Sequence, residues 1–245
     1  MPRTVLLRDW LDRHLARSHT EEELKDGYSL EPASADASFR RYFRVTLPSG
    51  DTRIVMDAPP ELEDCRPFLQ VAALFRDAGV HVPEVFDTDL AQGFLLLSDL
   101  GSTTYLSVLN ADTAPKLYRD ANAALVDIQR ASRPGALPEY DRALLTRELN
   151  LFPDWYVARH LGITLDEKQD ATLRTVFEKI LANNLAQPQV FVHRDYHSRN
   201  LMVLSGDYPA NPGVIDFQDA VYGPITYDIA SLLRDAFISW EEEFV

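Results

Sequence analysis

The stretch from His193 to Asn200, "HRDYHSRN", puts two histidines, an aspartate and an asparagine into one short run. Apolar runs surround it: "QVFV" before it, "LMVL" after it, and "GVID" ending at Asp216. They read as short strands that leave Asp195 and Asn200 on a loop and Asp216 at a strand end. An Asp and an Asn five apart, with a second Asp soon after, suit phosphoryl transfer. One carboxylate accepts or orients an attacking hydroxyl, while an amide oxygen and the other carboxylate hold Mg²⁺ against nucleotide phosphates. A rival chemistry makes His193, Asp195 and His197 the alternating ligands of a hydrolytic metal. That site needs further ligands, and His14, His19, His81 and His160 are scattered without ligand spacing.

The elements that must position these residues follow from hydrophobic periodicity. Leu7, Leu11 and Leu15, with Leu6 and Trp10 beside them, predict an amphipathic helix at the N-terminus. From Phe39 to Asp57 two β-rich runs flank a Pro-Ser-Gly-Asp turn, which predicts a hairpin. A turn centred on Ser49 and Gly50 pairs Val45 with Ile54, Arg44 with Val55 and Tyr42 with Asp57, setting Arg40, Tyr42, Arg44, Val55 and Asp57 on one face. A helix over "FLQVAALFRDAG" and strands at "VHVPEVFDTD" and "GFLLLSDLG" come next. Helices are then expected over Ala111 to Ala131, Leu137 to Leu161 and Asp166 to Ala186. A sheet-rich part thus meets a helix-rich part at "SDLG".

Composition narrows the partners. With 245 residues and 46% hydrophobic content the chain can bury a substantial core. Its net charge of -14 disfavours nucleic acid and anionic membranes. One cysteine, Cys65, implies no disulfide, and the charged N-terminal helix is no signal peptide, so cytoplasmic residence is expected.

The segments "SADASFRRYFRV", "VMDAPPE", "HRDYHSRNLM" and "IDFQDAVYGPITYDIASLLRD" together resemble the aminoglycoside phosphotransferase superfamily, from about Ser34 to the end. Within it they are most similar to the bacterial cell-wall sugar kinases that phosphorylate N-acetylmuramate and N-acetylglucosamine at the anomeric hydroxyl. The resemblance implies an α+β, bilobal protein-kinase-like fold, with an antiparallel-sheet N-lobe over 1–100 and a helical C-lobe over 101–245, incomplete at its C-terminus. It implies ATP and Mg²⁺, with Asp195 as catalytic base, Asn200 and Asp216 as metal ligands, and His193 as a packing element. Asp228 resembles the buried Asp that receives catalytic-loop amides. "SADASFRR" occupies the place of the phosphate loop, so Ser34 and Ser38 are candidate phosphate contacts. Backbone near Ser98 and Leu100 is the candidate adenine site. An aminoglycoside, choline or another small alcohol is the alternative acceptor, and a non-catalytic ATP-binding module the alternative role.

One departure stands out. Related kinases carry a phosphate-gripping lysine at the end of the strand "IVMD", where this chain has Asp57. The expected hairpin register makes Arg40 and Arg44 diagonal neighbours of Asp57, and either guanidinium is a candidate replacement for the lysine.

Overall fold

The computed structural model describes residues 2–34, 39–204 and 212–245; Ser38 lies outside them, and of Ser34 only the backbone is described. The N-terminal half holds α1 (Arg3–Ser18), the one-turn α2 (Glu21–Leu24), β1 (Ser29–Ser34), β2 (Arg41–Thr46), β3 (Thr52–Asp57), α3 (Arg66–Asp77), β4 (Val85–Asp89) and β5 (Phe94–Ser98). Its strands form one antiparallel sheet in the order β1-β2-β3-β5-β4. The second half holds α4 (Tyr105–Val108), α5 (Ala114–Arg130), α6 (Arg142–Leu151), a π-helical continuation (Phe152–His160) and α7 (Glu167–Leu185). It closes with β6 (Gln189–Val192), β7 (Leu201–Met202), β8 (Gly213–Val214), β9 (Val221–Pro224) and α8 (Tyr227–Leu233).

Both faces of the sheet are covered, each by a helix whose apolar stripe the sequence spells out. Leu7, Trp10, Leu11 and Leu15 of α1 bury against Val45, Leu47, Val55, Phe94 and Leu96. On the other face, Phe68, Val71, Ala72 and Phe75 of α3 meet Met56, Leu95 and Leu97. That second core runs on without a break into Leu117, Ala121 and Leu125 of α5 and into Phe191, Tyr196 and Phe217 around the loop of interest. The sheet and the helices therefore share one apolar interior, which fixes the distance between them. No helix among the described residues is long and apolar enough to cross a membrane.

The hairpin register differs from the expected one by one residue. The Leu47 N–H donates to the Asp51 carbonyl at 2.9 Å, so the loop is Pro48-Ser49-Gly50, with Gly50 at φ 90°. A three-residue loop with a left-handed glycine replaces the expected two-residue turn. Arg41 thus pairs with Asp57, Tyr42 with Met56, Phe43 with Val55, and Arg44 with Ile54. Because side chains alternate along a strand, this slip moves Asp57 to the α1 face and gives α3 Met56 instead.

Asp57 has no exposed surface there, and the guanidiniums seen to hold it are those of Arg3 and Arg41. Arg3 of α1 reaches its Oδ1 with Nε at 2.9 Å and Nη2 at 2.5 Å, and Arg41 reaches Oδ2 with both nitrogens. Arg3 also donates to the Gln92 carbonyl at 2.6 Å and stacks over Phe94, which locks α1 to the sheet. Removing the carboxylate leaves two guanidiniums facing each other over a dry site. Asp57→Ala is expected to lower unfolding free energy by about 3 kcal/mol, the lower end of the range for a broken buried pair because Arg41 is half exposed. Urea denaturation measures this; a loss under about 1 kcal/mol would show that the pair is structurally idle.

Candidate active site

Short strands hold the loop at both ends. β6 pairs with β9 and delivers His193; β7 follows Asn200 and pairs with β8, after which Ile215 and Asp216 emerge. The Ile215 N–H donates to the Asn200 carbonyl at 3.0 Å, so the two catalytic segments are stitched directly together.

Between those ends, the inward-facing groups of the loop are anchored in turn. Asp228, fully buried in the first turn of α8, accepts the backbone N–H of His193 at 2.7 Å and of Arg194 at 3.0 Å. The buried Tyr196 hydroxyl donates to the Ala121 carbonyl of α5 at 2.8 Å, and Asp235 accepts the Ser198 N–H at 2.8 Å. Arg194 has φ 78° and Asp216 has φ 63°, left-handed conformations that non-glycine residues rarely hold without support. These anchors supply it.

His193 is a structural element. Its Nε2 lies 3.0 Å from the Ile215 carbonyl, which can only accept, so Nε2 carries the proton and Nδ1 accepts the Asp195 N–H at 3.3 Å. Burial pushes its pKa down to about 4, so the ring is neutral. With both nitrogens committed, His193 cannot ligate a metal, and no group of three or more His, Cys, Asp or Glu side chains among the described residues is arranged to hold one. The hydrolytic-metal chemistry is set aside on that geometry.

Asp195, Asn200 and Asp216 are brought together. Asn200 Nδ2 donates to the Asp195 carbonyl at 3.0 Å and to Asp216 Oδ2 at 3.3 Å, and Asp216 Oδ1 accepts from Gln218 at 2.9 Å. Asn200 Oδ1 has no protein donor among the described residues, and the amide that carries it meets the Asp216 carboxylate through Nδ2. Hard oxygens of this kind suit Mg²⁺, which takes one or two protein ligands and completes its shell with water and phosphate. Desolvation, reinforced by the Asp216 carboxylate, raises the Asp195 pKa above the usual carboxylate range.

Of the nucleotide-side candidates, Arg44 reaches the segment that holds Ser98 and Leu100. Arg40 directly precedes β2. Arg44 shares its sheet face with Met56, but its guanidinium is bridged to Asp99 at 2.6 Å and to the Gly101 carbonyl at 3.1 Å, which ties β2 to the segment after β5. Ser98 exchanges bonds with Glu84: its Oγ accepts the Glu84 N–H and its own N–H donates to the Glu84 carbonyl, both at 2.8 Å. Leu100 is buried with Met202 and Leu204, and Ile215 packs against them.

Sequence reasoning missed Glu148. This α6 carboxylate pairs with the Arg194 guanidinium and accepts from the Tyr140 and Tyr227 hydroxyls, the latter at 3.2 Å. Nothing local marks it; the only signal was Arg194 itself, a cation beside a catalytic Asp that needs a counter-charge.

His193 and Asp228, both fully buried, give opposite pH dependences. His193, depressed to about 4 from 6.5, costs stability as pH falls from about 6.5 to 4, because only the unfolded chain takes up that proton. Asp228, raised by burial to about 7 from 3.8, costs stability as pH rises across about 4 to 7, because the folded chain holds its proton longer. Asp228→Asn removes the second effect alone. Its stability, measured by urea unfolding at several pH values, is expected to climb between pH 4 and 6.5 more steeply than the parent's; parallel profiles would contradict this. The lost amide bond should also lower kcat.

Comparison with known proteins places this geometry. Residues 29–245 match the family model described as "Phosphotransferase enzyme family". The chain is 51% identical over 239 residues to N-acetylmuramate/N-acetylglucosamine kinase of Pseudomonas aeruginosa, covering 96% of this chain and 69% of the relative. The protein of that name from Neisseria meningitidis is 48% identical over 249 residues, covering 100% and 70%. Among solved structures, ADP-bound aminoglycoside phosphotransferase APH(2'')-Ib superposes with a TM-score of 0.62 at 15% identity, covering 93% of this chain and 78% of that one. The streptomycin–ATP complex of APH(2")-IIa gives 0.58 at 17%, covering 94% and 78%. These likenesses establish the α+β, protein-kinase-like fold, and the extent of the family match leaves one assignment: the chain belongs to the phosphotransferase enzyme family.

Proposed function

We propose that this chain is a sugar kinase that transfers the terminal phosphoryl group of ATP to the anomeric hydroxyl of an N-acetylated amino sugar, of the kind named for its relatives, in the reuse of cell-wall fragments. The observation that carries the reading is the Asp195–Asn200–Asp216 cluster, held by Asp228, in a chain half identical to N-acetylmuramate/N-acetylglucosamine kinases.

Asp195 takes the acceptor hydroxyl proton. It projects from a loop whose backbone is fixed on both sides, and desolvation raises its pKa, which makes it a stronger base than a free carboxylate. An anomeric hydroxyl is more acidic than an ordinary alcohol, so the demand on this base is mild. Asn200 Oδ1 and Asp216 would hold Mg²⁺, which when bound offsets charge on the nucleotide phosphates. Asn200 keeps its amide turned by donating to the Asp195 carbonyl, so a single side chain relates the base to the metal-holding pair. On the nucleotide side, Leu100, Met202 and Leu204 form an apolar surface beneath the segment after β5, suited to a purine, with backbone near Ser98 to Leu100 as its edge. Arg44 braces that segment through Asp99. Arg40, Ser34 and Ser38 remain the proposed phosphate contacts, and the lobes are proposed to meet at about residue 100.

The test is an ATP-consumption assay with N-acetylmuramate, N-acetylglucosamine, aminoglycosides and choline as acceptors. Turnover is expected with the N-acetylated sugars. Asp195→Asn should lower kcat by about 10³-fold, as loss of a general base does, with the melting temperature preserved. Retention of a tenth or more of the parental rate would remove Asp195 from the role.

A further inference from the structure

The geometry points to Arg199 as the residue that recognises a carboxylate on the acceptor, and so separates anionic from neutral amino sugars. This rests on the sugar-kinase reading above and adds a specificity residue to it.

The loop alternates in exposure. Tyr196 and Ser198 are buried, Asp195 and Arg199 are exposed, and His197 is half buried between them. Asp195 and Arg199 are thus both presented to solvent from one short loop, with a turn closed by the Asn200 N–H on the His197 carbonyl between them. Asn200, next in the chain, turns instead to Asp216. The proposed base and Arg199 are therefore two exposed groups four residues apart, while Asn200 is engaged with Asp216.

Among the described residues Arg199 forms no ion pair, unlike Arg194 in the same loop. Arg3 and Arg41 are bound by Asp57, Arg44 by Asp99 and Arg194 by Glu148, whereas Arg199 has no carboxylate partner among the described residues. Its guanidinium lies over the Phe237 ring, 4.7 Å from the centroid, which steadies the plane while leaving its in-plane N–H groups open to a planar anion. Asp235 fixes this platform to the loop, accepting the Ser198 N–H with one oxygen and the Phe237 N–H with the other, at 2.8 and 2.9 Å. His197 meets the same ring edge-on at 5.3 Å.

Charge supplies the reason for such a device. A chain of net charge -14 repels an anionic substrate unless a local cation offsets the field. A muramate-type sugar carries its carboxylate on an ether substituent two ring carbons from the anomeric hydroxyl; its glucosamine counterpart has none. One molecule can present its hydroxyl to Asp195 and its carboxylate to a guanidinium further along the loop. The neutral sugar makes no use of that cation.

The experiment measures kcat/KM for N-acetylmuramate and N-acetylglucosamine with the parent, Arg199→Ala, Arg199→Gln and Arg199→Lys. The ratio of the two values is expected to fall about 10- to 100-fold in the Ala and Gln variants, the worth of a charge-assisted hydrogen bond, and to recover in part in the Lys variant. An unchanged ratio overturns the inference, even if both rates fall together. If a variant loses turnover altogether, the same ratio is read from equilibrium binding of the two sugars by saturation-transfer NMR, with the same two outcomes. A parent that phosphorylates neither sugar overturns the sugar-kinase reading and this inference with it, which is distinct from a parent active on both whose variants keep the ratio.

Discussion

A buried carboxylate fixes the start of the loop that carries Asp195. Asp228 takes the amides of His193 and Arg194 at the point where β6 ends and the chain must turn into a left-handed residue. Each amide left unsatisfied at that depth costs about 1–3 kcal/mol, so the turn has few alternatives while Asp228 is present. Burial opposes the arrangement, as the raised carboxyl pKa of about 7 shows, and the two amide bonds act against that shift. The next inward residues repeat the pattern, Tyr196 onto α5 and Ser198 onto Asp235. Every second residue is tied down, and the residues between them emerge with little backbone freedom left. In its proposed role as base, Asp195 would meet a substrate without a large ordering cost at the moment of reaction.

The N-terminal half solves a different problem. Related kinases carry a lysine at the end of the strand where this chain has Asp57, and the residue before it, Met56, packs on α3 in the main core. The neighbouring Asp57 is not a degraded lysine site; it faces the other way and fastens α1 to the sheet through Arg3 and Arg41. An apolar contact between β3 and α3 stands where an ion pair would otherwise join them, and the charged pair has moved to the opposite face. Both arrangements bind a helix to the sheet, and neither uses its charge on the cleft side.

What the sequence made legible was local. The clustering of Asp195, Asn200 and Asp216 was readable because it depends on short spacings between strands, and the structure brings the three together. The expected helix over Ala111 to Ala131 is α5, and that over Asp166 to Ala186 is α7, whose Asp166–Gln169 capping box marks its start. The helix expected over Leu137 to Leu161 starts later, at Arg142, and continues as a π-helix from Phe152, beside a proline that cannot donate a helical hydrogen bond. The hairpin register was not legible, because a three-residue and a two-residue turn share the same turn residues and differ only in which amide closes the loop. Arg3–Asp57, Glu148–Arg194 and Ser198–Asp235 span 54, 46 and 37 residues, and no local pattern announces such pairs. The consequence was largest at Asp57, where a one-residue slip changed a supposed cleft residue into a structural one.

The account stands on phosphoryl transfer to the hydroxyl that the Asp195 loop presents. The most direct measurement is the phosphorus NMR spectrum of the product formed from ATP and N-acetylglucosamine by this protein. The account predicts one sugar phosphate whose phosphorus couples to the anomeric proton, formed by the parent and absent with Asp195→Asn. A phosphate coupled to the protons at carbon 6, or the same product formed undiminished by the variant, would contradict it.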